Sequence, residues 1–142
     1  MSELFGEWLE EQYVYQRQSY GNDLDRLSEE ERLSYIDEML KAAILEVGEA
    51  YNEFSWKSWA SAQFRNKDAL TGDLVDVVFF VANALVANGV TSEELTAKYR
   101  GKMGINTERQ IDGYDGISGK CPECRRALDD PAVTCVEGEC FA

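Results

Sequence analysis

Residues Glu46–Asp76 read EVGEAYNEFSWKSWASAQFRNKDALTGDLVD, and their reading decides the fold. Glu46 and Glu49 stand three apart, as do Asp73 and Asp76 at the far end. Residues three apart on a helix share a face. Each pair therefore predicts a two-pronged acidic comb, on a segment apolar enough to be a core helix. Gathering four carboxylates in a core is prohibitive unless something positive compensates. The chain has no histidine, so divalent cations held by oxygen ligands are the most economical compensation.

Toward the N-terminus, Ser28 and Glu31 have capping-box spacing, and the glutamate-rich turn after Ser28 suits the positive end of a helix dipole. Ile36, Leu40, Ala43, Ile44, Val47 and Tyr51 then form an apolar stripe of helical period. Glu46, Glu49 and Glu53 share a second stripe, whose alternative reading is a solvated acidic face. Gly48 is costly inside a helix, and close approach of a neighbouring helix would account for it. Further upstream, Ser2–Gln18 predicts a helix capped by Ser2, with Phe5, Trp8, Leu9 and Gln12 along one side. The linker SYGNDLDRL (19–27) predicts a turn.

Between the combs, Trp56, Trp59 and Phe64 alternate with Lys57, Arg65 and Lys67. The tryptophans close one end of a bundle in a structural reading. In a functional one, Lys57 meets phosphate and an aromatic such as Trp59 stacks on a base. The second comb opens a helix from about Thr71 to Asn88 that is apolar on nearly every side, which places it at the centre or at a subunit interface. Asp73, Asp76 and Asn83 need partners there. Asn88-Gly89 reads as its C-cap. Thr91 and Glu94 open a fourth helix that carries Tyr99, Lys102, Asn106 and Arg109. Gly101 and Gly104 weaken it and predict a bend or break.

Gly113–Lys120 is a glycine-rich hinge. The tail beyond it holds Cys121, Cys124, Cys135 and Cys140. Cys-Pro-x-Cys is a good half of a zinc site, and C-x4-C is a looser second half. Four thiolates would close the coordination sphere, so such Zn2+ would fold the tail rather than catalyse. The alternative is unliganded or oxidised thiols.

The chain has 142 residues, 44% of them apolar and 11% aromatic, which suits an ordered domain and excludes a disordered chain. A net charge of −13 argues against gripping nucleic-acid phosphates. A small phosphorylated molecule stays admissible, because a metal inverts the local field. No charged-then-apolar leader opens the chain, and the apolar run Leu74–Val86 is too short to span a bilayer. The expectation is a soluble cytoplasmic protein (host cytoplasm if viral), without membrane or nucleic-acid partners.

Four carboxylates on two helices can hold one to three Mg2+ or Mn2+ ions and leave room for substrate phosphate. Attack of water on a nucleoside triphosphate is the natural reaction class, with a carboxylate taking the proton and a lysine or arginine meeting the leaving charge. No P-loop or Rossmann glycine pattern is present.

E-x-x-E followed by [D/E]-x-x-D on two core helices resembles the all-α NTP pyrophosphohydrolase superfamily, which includes MazG and the dimeric dUTPases. ILEVGEAYNEFSWKSW resembles its first metal helix and GDLVDVVFFVANAL its second. YRGKMGINTERQIDGY is similar to the Y-x2-K-x3-N-x2-RQ-x2-GY ending of the phage and dUTPase-like branch. The resemblance covers about Asp23 to Tyr114. It implies an all-α bundle of four to five helices over 1–114, with a zinc-ribbon-like tail at 119–142 outside the family pattern.

It also implies hydrolysis of a nucleoside triphosphate to a monophosphate and pyrophosphate, by two to four subunits. Glu46, Glu49, Asp73 and Asp76 match the metal ligands, with Glu49 as the chosen general base. Lys57, Lys102 and Asn106 match positions near phosphate or sugar, and Arg109 joins them. Asn83 reads the sugar or base, or is an interhelix asparagine. Asp73 departs from the family's usual glutamate and loses a methylene of reach. The two tryptophans tilt the base toward a purine (dGTP or dATP) or a broad dNTP range, with dUTP as the alternative. A non-catalytic helical binding or assembly module is the reading from another class.

Overall fold

The computed structural model describes residues 4–116 and 119–128, together with the backbone of 134–136 and 139–141. The fold is all-α. Helices α1 (Gly6–Ser19), α2 (Glu29–Ala50), α3 (Lys67–Ala87) and α4 (Ser92–Asp112) carry it, followed by two three-residue strands, β1 (Thr134–Val136) and β2 (Glu139–Phe141). The chain divides into two compact units, Met1–Leu95 and Thr96–Ala142.

In the first unit α2 and α3 pack along their length, and α1 lies on α3. Small residues bring the helices close: Ala43 and Ala50 of α2 and Ala82, Ala84 and Ala87 of α3 are buried, with Leu9 and Leu24. The start of α2 follows its sequence. The Ser28 hydroxyl accepts from the Glu31 N–H at 3.2 Å, and the Glu31 carboxylate accepts from the Ser28 N–H at 2.8 Å. Those bonds hold the Glu31 carboxyl below its usual range. Helix α3 ends as its glycine predicts: Gly89 is left-handed (φ +71°), its N–H donates to the Val86 carbonyl, and the Val90 N–H donates to the Leu85 carbonyl. These two bonds make a Schellman motif. Arg32 reaches from α2 to that end, donating to the carbonyls of Ala87 and Leu24.

Several boundaries differ from expectation. Helix α1 begins at Gly6, with Phe5 at its N-cap and no side-chain cap, while Ser2 lies outside the described residues. Helix α3 starts at Lys67 rather than near Thr71, because the Asn66 side chain caps it by accepting from the Ala69 N–H at 3.4 Å. Helix α4 runs unbroken through Gly101 and Gly104.

The larger difference concerns where the apolar stripe points. Leu40, Ile44 and Val47 of α2, with Leu74, Val75 and Val78 of α3, are exposed in the single chain, Ile44 to 70%. Among the described residues no large side chain is fully buried. A side chain at Gly48 would meet nothing within 4 Å among the described residues of its unit, so the close helix approach expected there is not found in it. By length and composition alone α3 could cross a membrane. Aspartates near the centre of a lipid-spanning helix cost about 2.5–3.5 kcal/mol each, so Asp73 and Asp76 favour a protein neighbour for this face.

The second unit holds most of α4. The reciprocal bonds of Thr91 and Glu94 open that helix, at 2.9 and 3.1 Å. Gly113, Gly116 and Gly119 are all left-handed. A bridge between Lys120 and Ala127 closes a short hairpin, and β1 pairs antiparallel with β2.

Candidate active site

The acidic combs meet because the connection between them is closed at its base. The Asn66 N–H donates to the Glu53 carbonyl at 2.7 Å, the Ser55 N–H to the Phe64 carbonyl at 2.9 Å, and Phe54 bridges Arg65. The last turn of α2 is thereby held beside the first turns of α3. One carboxylate oxygen from each of Glu46, Glu49 and Asp73 lies within 4.8 Å of the other two.

The expected burial is only partial: Glu46 and Asp73 are half-buried, Glu49 and Asp76 exposed. Partial burial, and then the charges of Glu49, Asp76 and Asp73, hold the Glu46 carboxyl above its ordinary range. Glu49 also sits in the last turn of α2, which has no basic residue, where the helix dipole disfavours an anion. Three convergent carboxylates in an unfavourable field fit a hard divalent cation bound through oxygen.

Asp76 lies outside the triad but faces a cavity of about 500 Å³, which it lines with Gln12, Gln16, Tyr35, Phe80 and Asn83. Asn83 is buried and partnered. Its carbonyl oxygen accepts from Gln12 Nε2 at 2.6 Å, and its amide nitrogen approaches the Met39 sulfur at 3.5 Å. Gln16 Oε1 accepts from the Tyr35 hydroxyl at 3.0 Å and from Asn22 Nδ2 at 2.8 Å. Burial, and then the Glu38 charge, raise the Tyr35 pKa. Sequence reasoning placed Gln12 on one side of the first helix without giving it a site role, and missed Gln16. The available signal was two amides four apart, in line with Leu9.

Lys57 is exposed, with its ammonium 5.5 Å from the Trp56 ring centroid. Trp56 meets Tyr51 and Trp59 edge-on at 5.6 and 5.9 Å, and Trp59 is 77% exposed. Lys102, Asn106 and Arg109 belong to α4 in the second unit. The first two are exposed, and the Arg109 guanidinium lies 5.1 Å from the Tyr114 ring. Cys121 is buried and Cys124 half-buried, whereas the thiols of Cys135 and Cys140 lie outside the described residues.

A sequence profile described as dUTPase matches residues 17–88, which span α2, the closed connection, the carboxylate triad and α3. The chain belongs to the dUTPase family. This is the MazG-like all-α family of dUTP and NTP pyrophosphohydrolases, and the four helices of this chain agree with an all-α family. No curated protein and no solved structure matches the chain. As a dUTPase-family chain, it places its triad and most of the named cavity lining within the matched region, while Gln12 and Gln16 come from just before it.

Proposed function

We propose that this chain is a metal-dependent (deoxy)nucleoside triphosphate pyrophosphohydrolase, converting a dNTP and water to a dNMP and pyrophosphate. The observation that carries the reading is the contiguity of triad and cavity, which Asp76 links by facing one and repelling Glu46 in the other. Glu46, Glu49 and Asp73, with Asp76 as the fourth carboxylate, would hold Mg2+ or Mn2+. Bound there, the ion would neutralise phosphate charge and lower the pKa of a water molecule.

The chain's own groups supply the rest. Glu49, the most open of the triad, takes the proton of the attacking water. Lys57, Lys102, Asn106 and Arg109 meet phosphate and sugar, and Trp59 offers a face for stacking. Asn83, held by Gln12, presents a fixed amide to the nucleoside. The large aromatic surfaces of Trp56 and Trp59 support a purine (dGTP or dATP) or broad dNTP preference. The family description favours dUTP as the second reading. The exposed apolar faces of α2 and α3 support a homo-oligomer.

Pyrophosphate release from a panel of dNTPs, dUTP included, with Mg2+ or Mn2+ tests the proposal and names the base together. Glu49→Gln should lower kcat about 10²–10⁴-fold, the usual contribution of a general base. If no nucleotide is turned over, the helical binding-module reading replaces it; if Asp76→Asn leaves a genuine activity intact, the catalysis does not run through this carboxylate cluster.

A further inference from the structure

We propose that the C-terminal tail is a separate zinc centre in which Cys121, Cys124, Cys135 and Cys140 bind one Zn2+ per chain. All four cysteines fall within the last twenty-two residues, as two pairs separated by two and four residues, spacings common in structural zinc sites. The backbone turns each pair into a hairpin.

In the first, the Cys121 N–H donates to the Arg126 carbonyl and the Arg125 N–H donates back to the Cys121 carbonyl, both at 2.9 Å. The Lys120–Ala127 bridge and a 2.7 Å bond from the Leu128 N–H to the Gly119 carbonyl close its stem. Arg125, directly after Cys124, is left-handed at φ +61°, the one such non-glycine residue among those described. An arginine adopts that conformation only where something compensates.

In the second hairpin, Cys135 stands opposite Cys140 in the β1–β2 register. Directly opposed residues of an antiparallel pair share a face, with Cβ atoms about 4.5–5.5 Å apart. Two sulfurs of a tetrahedral zinc site, each about 2.3 Å from the metal, are about 3.8 Å apart, so both cysteines suit one ion.

The charge distribution agrees. A zinc tetrathiolate carries two negative charges, which a chain of net charge −13 tolerates only with cations nearby. Lys120, Arg125 and Arg126 cluster around the first pair. Soft thiolates select zinc over the hard cations suited to the carboxylate triad, so the two metals would partition by ligand chemistry. With all four positions taken, this zinc has no place for substrate and serves to fold the tail.

The full chain, purified reduced and without chelator, should contain one zinc per polypeptide, and Glu46→Gln should keep it. Replacement by Co2+ should give the visible bands of a tetrahedral site with thiolate-to-cobalt charge transfer. A thiol reagent should release one equivalent of zinc from the wild type, a readout that needs no variant to fold. Cys121→Ser and Cys140→Ser should each lose stoichiometric zinc while the helical signal in circular dichroism persists. Zinc retained in full by Cys140→Ser would overturn the assignment. So would reduced protein that binds no zinc on reconstitution, or disulfides in protein kept anaerobic throughout.

Discussion

Glu46 holds its proton more tightly than an isolated glutamate, first because it is half-buried and then because Glu49, Asp76 and Asp73 face it. The sign of the resulting pH dependence follows directly. As pH rises from the ordinary glutamate range through the raised value, the unfolded chain gives up this proton before the folded one does. The metal-free protein should therefore melt at progressively lower temperature across that interval, and Mg2+ should restore the loss. Glu46→Gln should flatten the decline in thermal melts. Glu31 and Glu94, held below their usual range by their capping bonds, act in a separate window, where their stabilisation is lost as pH falls. The acidic residues were legible in the sequence because their spacing is local. The Gln12–Asn83 bond was not, since its partners lie seventy-one positions apart and only packing of α1 on α3 brings them together.

The same distinction holds for the helices. The capping boxes at Ser28 and Thr91 and the Gly89 terminus are written within a few residues and form as the sequence indicates. The start of α3 was misplaced because its cap is an asparagine that also closes the preceding loop on Glu53. Periodicity gave the apolar stripe of α2 correctly but not its destination. A period shows which residues share a face, without showing what that face meets. Gly48 offers a test at this scale. With open space around its Cβ, Gly48→Ala should stabilise an isolated chain by up to about 1 kcal/mol through helix propensity. If a second copy packs closely there, the same substitution should weaken association, measurable by sedimentation alongside urea denaturation.

At the scale of the molecule, the side chains of Leu40, Ile44, Val47, Leu74, Val75 and Val78 stand exposed on two helices packed against each other, the kind of apolar surface that marks an interaction site. Covering them with a second chain would bury the missing core. The melting temperature should then rise with protein concentration, as mass action requires of an obligate assembly. Ile44→Glu should shift the species seen in sedimentation toward monomer and lower its stability, while a wild-type chain that is monomeric at all concentrations would contradict the oligomer.

The raised pKa of Glu46 also enters the heat of cation binding. In mildly acidic solution a cation that takes this carboxylate as a ligand must first displace its proton, which the buffer then captures. The enthalpy measured by titration calorimetry should therefore vary linearly with the ionisation enthalpy of the buffer. The slope counts the protons released, and it should approach zero above the raised pKa or in Glu46→Gln.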